Sequence, residues 1–113
     1  VKITFEDKKL EKLVNDDGKL VNEFGKLRAA KIKARLAQLK FATTLEEVRN
    51  FPGNYHELIN NRKGQWACDL DQPYRLVFTA HENPIPTNAD GRYIWREIKG
   101  VEVIEIINYH KEK

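Results

Sequence analysis

The sequence predicts an α+β fold in a single domain, with helices packed on an antiparallel sheet. Three observations predict it. Apolar residues recur at helical spacing through the first half of the chain and at alternate positions through most of the second half, and short turn-forming stretches join the alternating runs. The 113 residues form one domain, and 41% hydrophobic with 33% charged residues suits a fold that closes a modest core.

The elements follow in order. Val1, Ile3 and Phe5 alternate as a short strand would. Asp7 caps a helix whose apolar face is Leu10, Leu13 and Val14, and Asp17-Gly18 ends it. A longer helix follows on Leu20, Phe24, Leu27, Ile32, Leu36 and Leu39, with Gly25 as its weak point. Thr44-Leu-Glu-Glu47 has the capping-box pattern and opens a short helix that Phe51-Pro52-Gly53 terminates.

Strand signals take over from there. Tyr55–Ile59 is one candidate. Trp66–Leu70 and Tyr74–Thr79 form a hairpin about Asp71-Gln72-Pro73, with Trp66, Cys68 and Leu70 on one face and Tyr74, Leu76 and Phe78 likewise. His81–Gly91 is a long loop. Tyr93–Ile98 and Val101–Ile107 are expected to pair about Lys99-Gly100. The last run carries the doublets Val103-Ile104 and Ile106-Ile107, which suit either a central strand buried on both faces or a bulge. Trp66, Phe78 and Trp95 are assigned to the core or to a partner interface.

Charge is uneven along the chain. Between Lys19 and Lys40 seven basic residues face one acid, Glu23, so this segment carries a surplus of six while the rest sums to −3 within a net +3. A basic helix of this kind suits a phosphate backbone or an acidic partner. No apolar run approaches the ~20 residues that cross a bilayer, and VKITFEDKK lacks the apolar core of a signal peptide. The single cysteine, Cys68, makes no internal disulfide, which fits a reducing, cytoplasmic location. No CxxC, HxxxH, glycine-rich phosphate loop or GxSxG elbow occurs, so neither metal nor other cofactor is expected.

The chain's last strand-like run stops on Asn108-Tyr109-His110, an aromatic and an imidazole where turn residues are usual. Two histidines near strand ends, His56 and His110, are compatible with metal-free RNA cleavage. The attacking 2′-hydroxyl must lose a proton and the leaving 5′-oxygen must gain one, and histidine does either near neutral pH. Arginine fits the developing charge on the phosphorane, and tyrosine stacks on an unpaired base. Spacing alone does not bring the two histidines together.

The stretches NYHELINNRKGQWACDLDQPYRLVFTAHENP and DGRYIWREIKGVEVIEIINYH resemble the HigB-type killer toxins, a branch of the RelE/ParE superfamily of bacterial toxin–antitoxin systems. The joint pattern is a histidine before a strand, R-x-G-x-W, a [WY]-R-hydrophobic-x-F strand and a terminal Tyr-His. It covers about residues 51–110. The resemblance implies N-terminal helices on a curved, mainly antiparallel sheet of four to five strands. It also implies a ribosome-dependent endoribonuclease that cuts mRNA in the A site of a 70S-type ribosome. A helix-turn-helix antitoxin would neutralise it and alone would contact operator DNA.

By position, the resemblance implies His56 beside the scissile phosphate, Arg75 stabilising charge on it, and Tyr109 and His110 as the C-terminal site pair. Asn108 stands where related toxins have an acid. It cannot exchange a proton, so acid–base duty falls on His56 or His110, while Asn108 can still hydrogen-bond base or ribose. Arg62 and Lys63 in the R-x-G-x-W turn, with Lys26, Arg28, Lys31, Lys33 and Arg35 on the basic helix, are the expected RNA and ribosome contacts. Two rivals are a ParE-like gyrase inhibitor without nuclease activity and a non-enzymatic antitoxin or DNA-binding module that only binds its partner and operator DNA.

Overall fold

The computed structural model describes residues 1–112. Its elements are β1 (Lys2–Phe5), α1 (Lys8–Val14), α2 (Asp17–Phe24), α3 (Lys26–Phe41), β2 (His56–Glu57), β3 (Gln65–Asp69), β4 (Tyr74–Ala80), β5 (Gly100–Asn108) and α4 (Tyr109–Glu112). Short 3-10 helices lie at Leu45–Asn50, Asn60–Arg62 and Trp95–Glu97. The five strands form one sheet in the order β1-β5-β4-β3-β2, with β1 parallel to β5 and the other pairs antiparallel. The α+β expectation holds.

Local sequence explains several helix boundaries. Asp7 caps α1, its carboxylate accepting from the N–H groups of Lys9 (2.9 Å) and Leu10 (3.3 Å). Asp17-Gly18, expected to end this helix, instead begins α2, because Asp16 caps that helix by accepting from Lys19 N at 3.1 Å. Gly25 does more than weaken the next helix. Its φ of 84° lies outside helical geometry and divides the expected long helix into α2 and α3. The Thr44 side chain makes no cap bond, and Glu47 reaches back to Thr43 N at 3.1 Å, so the segment tightens into a 3-10 turn.

The core lies between the helices and one face of the sheet. Ile32 and Leu39 from α3, Leu20 from α2, Leu45 and Val48 meet Trp66, Cys68, Leu76, Phe78, Val101 and Val103 there. Burying each such large apolar side chain is worth about 1.5–3 kcal/mol. Trp66 is fully buried, its ring stacked on Phe78 (centroids 6.4 Å apart) and edge-on to Trp95 (6.0 Å).

That aromatic cluster corrects one expectation. Tyr93–Ile98 is not a strand and does not pair with β5. Trp95 turns into the core, donates its indole N–H to Glu57 Oε2 at 2.7 Å, and closes a 3-10 turn. The neighbours of β5 are β4 and β1. Tyr55–Ile59 also contracts, to the two-residue β2.

The β5 doublets mark a bulge. Val77 pairs with Glu105 but the next residue, Phe78, pairs with Val103. Ile104 and Glu105 together therefore oppose one residue of β4. Val101 and Val103 face the helices before the bulge and Ile106 does so after it, while Ile104 and Ile107 pack on the opposite face.

Candidate functional site

The sheet face turned away from the helices carries most of the expected site. Cross-strand register defines three rows on it. The middle row is His56, Ala67, Val77 and Glu105; on one side lie Asp69, Arg75 and Ile107, and on the other Gln65, Thr79 and Glu102. A small apolar floor of Ala67, Val77 and Ile107 underlies them.

Arg75 is held on this face by two contacts. Its guanidinium carbon sits 3.9 Å from the centroid of the Tyr109 ring. Its Nε lies 3.2 Å from Asp69 Oδ1, with only 17% and 20% of the two side chains exposed. This ion pair is close but not aligned as a hydrogen bond, and both atoms are buried without one. Tyr109 is fixed at its backbone, where its N–H donates to Pro73 O at 2.8 Å.

The terminal Asn-Tyr-His has a local explanation as well. Asn108 Oδ1 accepts from His110 N at 3.1 Å, the bond of a residue capping a new helical turn. Asn108 thus ends β5 and starts α4, leaving the His110 side chain exposed. His56 lies toward the opposite edge of the sheet. Its Nδ1 is 2.7 Å from the carbonyl of Asn54. A carbonyl only accepts, so Nδ1 carries the hydrogen and Nε2 is the basic nitrogen of the neutral ring.

The two histidines are not neighbours. His56 stands three strands from Glu105, and Asn108 three residues farther along β5. At ~4.8 Å between strands and ~3.3 Å per residue, the His56 and Asn108 backbones are on the order of 17 Å apart. Arg75 lies between them.

Arg62 reaches the same face, donating to Glu105 Oε2 (3.0 Å) and Gln65 Oε1 (2.8 Å), while Lys63 is exposed in the turn that follows. Among the described residues, no cluster of three or more His, Cys, Asp or Glu side chains is placed to hold a metal ion. No helix among them is long and apolar enough to cross a membrane.

The basic helix departs furthest from expectation. α3 packs on the inner face of the sheet, so Lys26, Lys31 and Lys33 do not share a face with Arg75. Arg35 is buried, 8% exposed, with Nε donating to Asp69 O at 2.7 Å. Arg28 forks onto Asp71 at 3.0–3.2 Å and stacks 3.4 Å over the Tyr74 ring. Neither arginine is presented to an RNA backbone. Both tie α3 to the hairpin that carries Arg75.

Sequence reasoning missed Asp69, although the signal was present. Counting outward from the Asp71-Gln72-Pro73 turn pairs Leu70 with Tyr74 and then Asp69 with Arg75. Beneath the site, burial pushes the Cys68 thiol up to about 12 and raises the Tyr55 hydroxyl as well, so both are neutral core groups. Compared with known proteins, the chain matches no family model and no curated sequence.

Proposed function

We propose that the protein is a ribosome-dependent mRNA endonuclease, the toxin of a bacterial toxin–antitoxin pair, and that the outer sheet face binds the RNA. One observation carries the reading. Arg75 is clamped between Asp69 and the Tyr109 ring on the outer sheet face, with His56 toward one edge and His110 just after β5. A guanidinium held this way meets a phosphate without reorganising, which is where electrostatic stabilisation of a phosphorane is most effective. The Tyr109 ring above it offers a surface for a base.

In this reading His56 takes the 2′-hydroxyl proton on Nε2, since Nδ1–H is committed to Asn54 O. His110, beyond Arg75, donates to the leaving 5′-oxygen. Each acts on its own oxygen and no proton is shared, so both imidazoles must reach inward across the face to flank one phosphate. Asn108 serves as the cap that sets Tyr109 and His110 in place. Lys63 and Arg62 meet the flanking backbone, Arg62 by exchanging Glu105 for phosphate.

The test is 5′-end mapping of a reporter mRNA incubated with purified protein, with and without translating ribosomes. Codon-registered cuts that need ribosomes and fall by roughly 10²-fold or more in His56→Ala and in Arg75→Ala are expected. Absence of cuts from folded protein that still arrests growth would sink the nuclease. A supercoiling assay would then test gyrase inhibition.

A further inference from the structure

The remaining charge of α3 is organised on another surface. Lys26, Lys33 and Lys40 recur every seventh residue, so they lie close to one line along the helix, and all three are exposed. Between Lys33 and Lys40 the same helix presents Leu36 and Ala37 to a groove of about 540 Å³, closed on the other side by Ile3, Phe5 and Val14. Its lining includes Lys2, Lys33 and Lys40 and no acid. The groove is on the helix side of the sheet, away from Arg75 and Tyr109.

One wall of this groove is a strand edge. β1 is the last strand of the sheet and pairs only with β5. Lys2 N donates to Lys99 O and Glu6 N to Val103 O, so the even-numbered residues of β1 point their amides at β5. In a parallel ladder the alternate residues point theirs the other way. The N–H and C=O groups of Ile3 and Phe5 therefore face the open edge, while their side chains form the groove wall. Val1 N donates to Leu39 O at 2.6 Å, which puts the start of β1 beside the end of α3.

From this geometry we infer that the groove receives an extended, acidic segment of a partner protein, added to the edge of β1 as a sixth strand. Ile3 and Phe5 supply the backbone hydrogen bonds, and an apolar side chain of the segment drops between Leu36 and Phe5. Two acids on the same face of the segment meet Lys33 and Lys40. Those lysines are seven residues apart, about 10.5 Å along the helix. Same-face residues four apart in a strand are ~13 Å apart, a difference that flexible lysine stems absorb. The recognised pattern is thus acid-x-apolar-x-acid. Lys33 already holds a carboxylate, that of Asp17 at 2.8 Å, in a pair 51% and 73% exposed that an incoming acid can replace. A nucleic acid would use the lysines but neither the apolar floor nor the strand edge, which is why a peptide fits better.

The probe is the peptide acetyl-Thr-Glu-Thr-Val-Thr-Glu-Thr-amide, titrated to millimolar concentration into the ¹⁵N-labelled full chain. A peptide with lysine in place of both glutamates and a single-stranded RNA serve as comparisons. The acidic peptide is expected to shift the amides of Ile3, Phe5 and Leu36 and to slow exchange at Ile3 and Phe5. Lys33→Glu/Lys40→Glu should weaken it at least tenfold and should bind the lysine peptide instead. Both substitutions are exposed, and unchanged far-UV and thermal profiles would establish that the fold is intact. Unshifted Ile3 and Phe5 amides, equal binding of the two peptides, or groove shifts produced by RNA alone would each overturn the inference. None of these readouts depends on RNA cleavage, so the groove and the nuclease reading fail or stand separately.

Discussion

Gly53→Ala is the sharpest stability test, because it strikes the point where α3 and the sheet are joined. Gly53 has a φ of 126°, and a Cβ there would lie 2.7 Å from Arg35 Nε, 2.9 Å from Arg35 Cδ and 3.1 Å from Tyr55 Cε1. A non-glycine residue in such a conformation costs on the order of 1–3 kcal/mol. The Arg35 guanidinium cannot swing aside into water, since the residue is only 8% exposed. Moving it breaks the Nε–H bond to Asp69 O, a charge-assisted hydrogen bond worth roughly 1.5–3 kcal/mol. The expected loss is about 4 kcal/mol, or about 16 °C in Tm at about 4 °C per kcal/mol for a chain of this size. Arg35→Ala removes the same bond and the packing of the buried stem, at about 3 kcal/mol. In the double variant the clash and the bond are lost once, so the cost should fall short of the sum by about 2 kcal/mol. Urea titrations followed by fluorescence of buried Trp66 and Trp95 measure all three. A Gly53→Ala cost below about 1 kcal/mol, or additivity within about 0.5 kcal/mol, would refute the reasoning.

Other outcomes follow from single contacts. Arg28→Ala should cost about 2 kcal/mol through its fork on Asp71 and its stacking on Tyr74, and Arg28→Lys should recover less than half, since lysine has no planar fork. Equal stability of the lysine variant and the native chain in urea would contradict this. Cys68 should resist iodoacetamide at pH 8 until the chain unfolds. Its thiol ionises near 9.0 when unfolded but only at about 12 when folded. The native state therefore holds the extra proton in that window, and stability should fall as pH rises through it, Tyr55 adding to the loss in the same direction. Flat stability from pH 9 upward would be inconsistent with that burial. Tyr109→Phe should keep the ring over Arg75 whereas Tyr109→Leu removes it, so only the latter should move the Arg75 Nε resonance. Identical spectra for the two variants would remove the stacking argument.

Elements encoded by adjacent residues were legible in the sequence. Asp7 as a cap, the hairpin about Asp71-Gln72-Pro73 and the departure from alternation in β5 are local facts, and each appears in the structure. Tyr93–Ile98 misled because Tyr93, Ile94 and Trp95 have strand propensity, while the place of Trp95 is set by contact with Trp66 from elsewhere in the chain. The basic helix misled for a related reason. Charge counting does not distinguish Lys33, 51% exposed at its side chain, from Arg35, whose partner lies 34 residues away in sequence. Of the site, Arg75 and Tyr109 lie in contact, a pairing that the motifs did not state. That His56 stands strands away from them follows from register, which no motif states.

The bulge at Ile104-Glu105 makes residue count, more than residue identity, the sensitive variable of the C-terminal segment. Were the same residues in a regular strand without the bulge, strict alternation from Val101 and Val103 would send Tyr109 toward the helices. With it, Tyr109 arrives over Arg75. Conservative substitutions such as Ile104→Val should therefore be absorbed, and deleting Ile104 would leave Glu105 opposite Val77 and Tyr109 on its present face, whereas deleting one residue after the bulge, such as Ile106, would turn Tyr109 toward the helices. The chain's reading frame in space is set there, four residues before the aromatic ring whose placement depends on it.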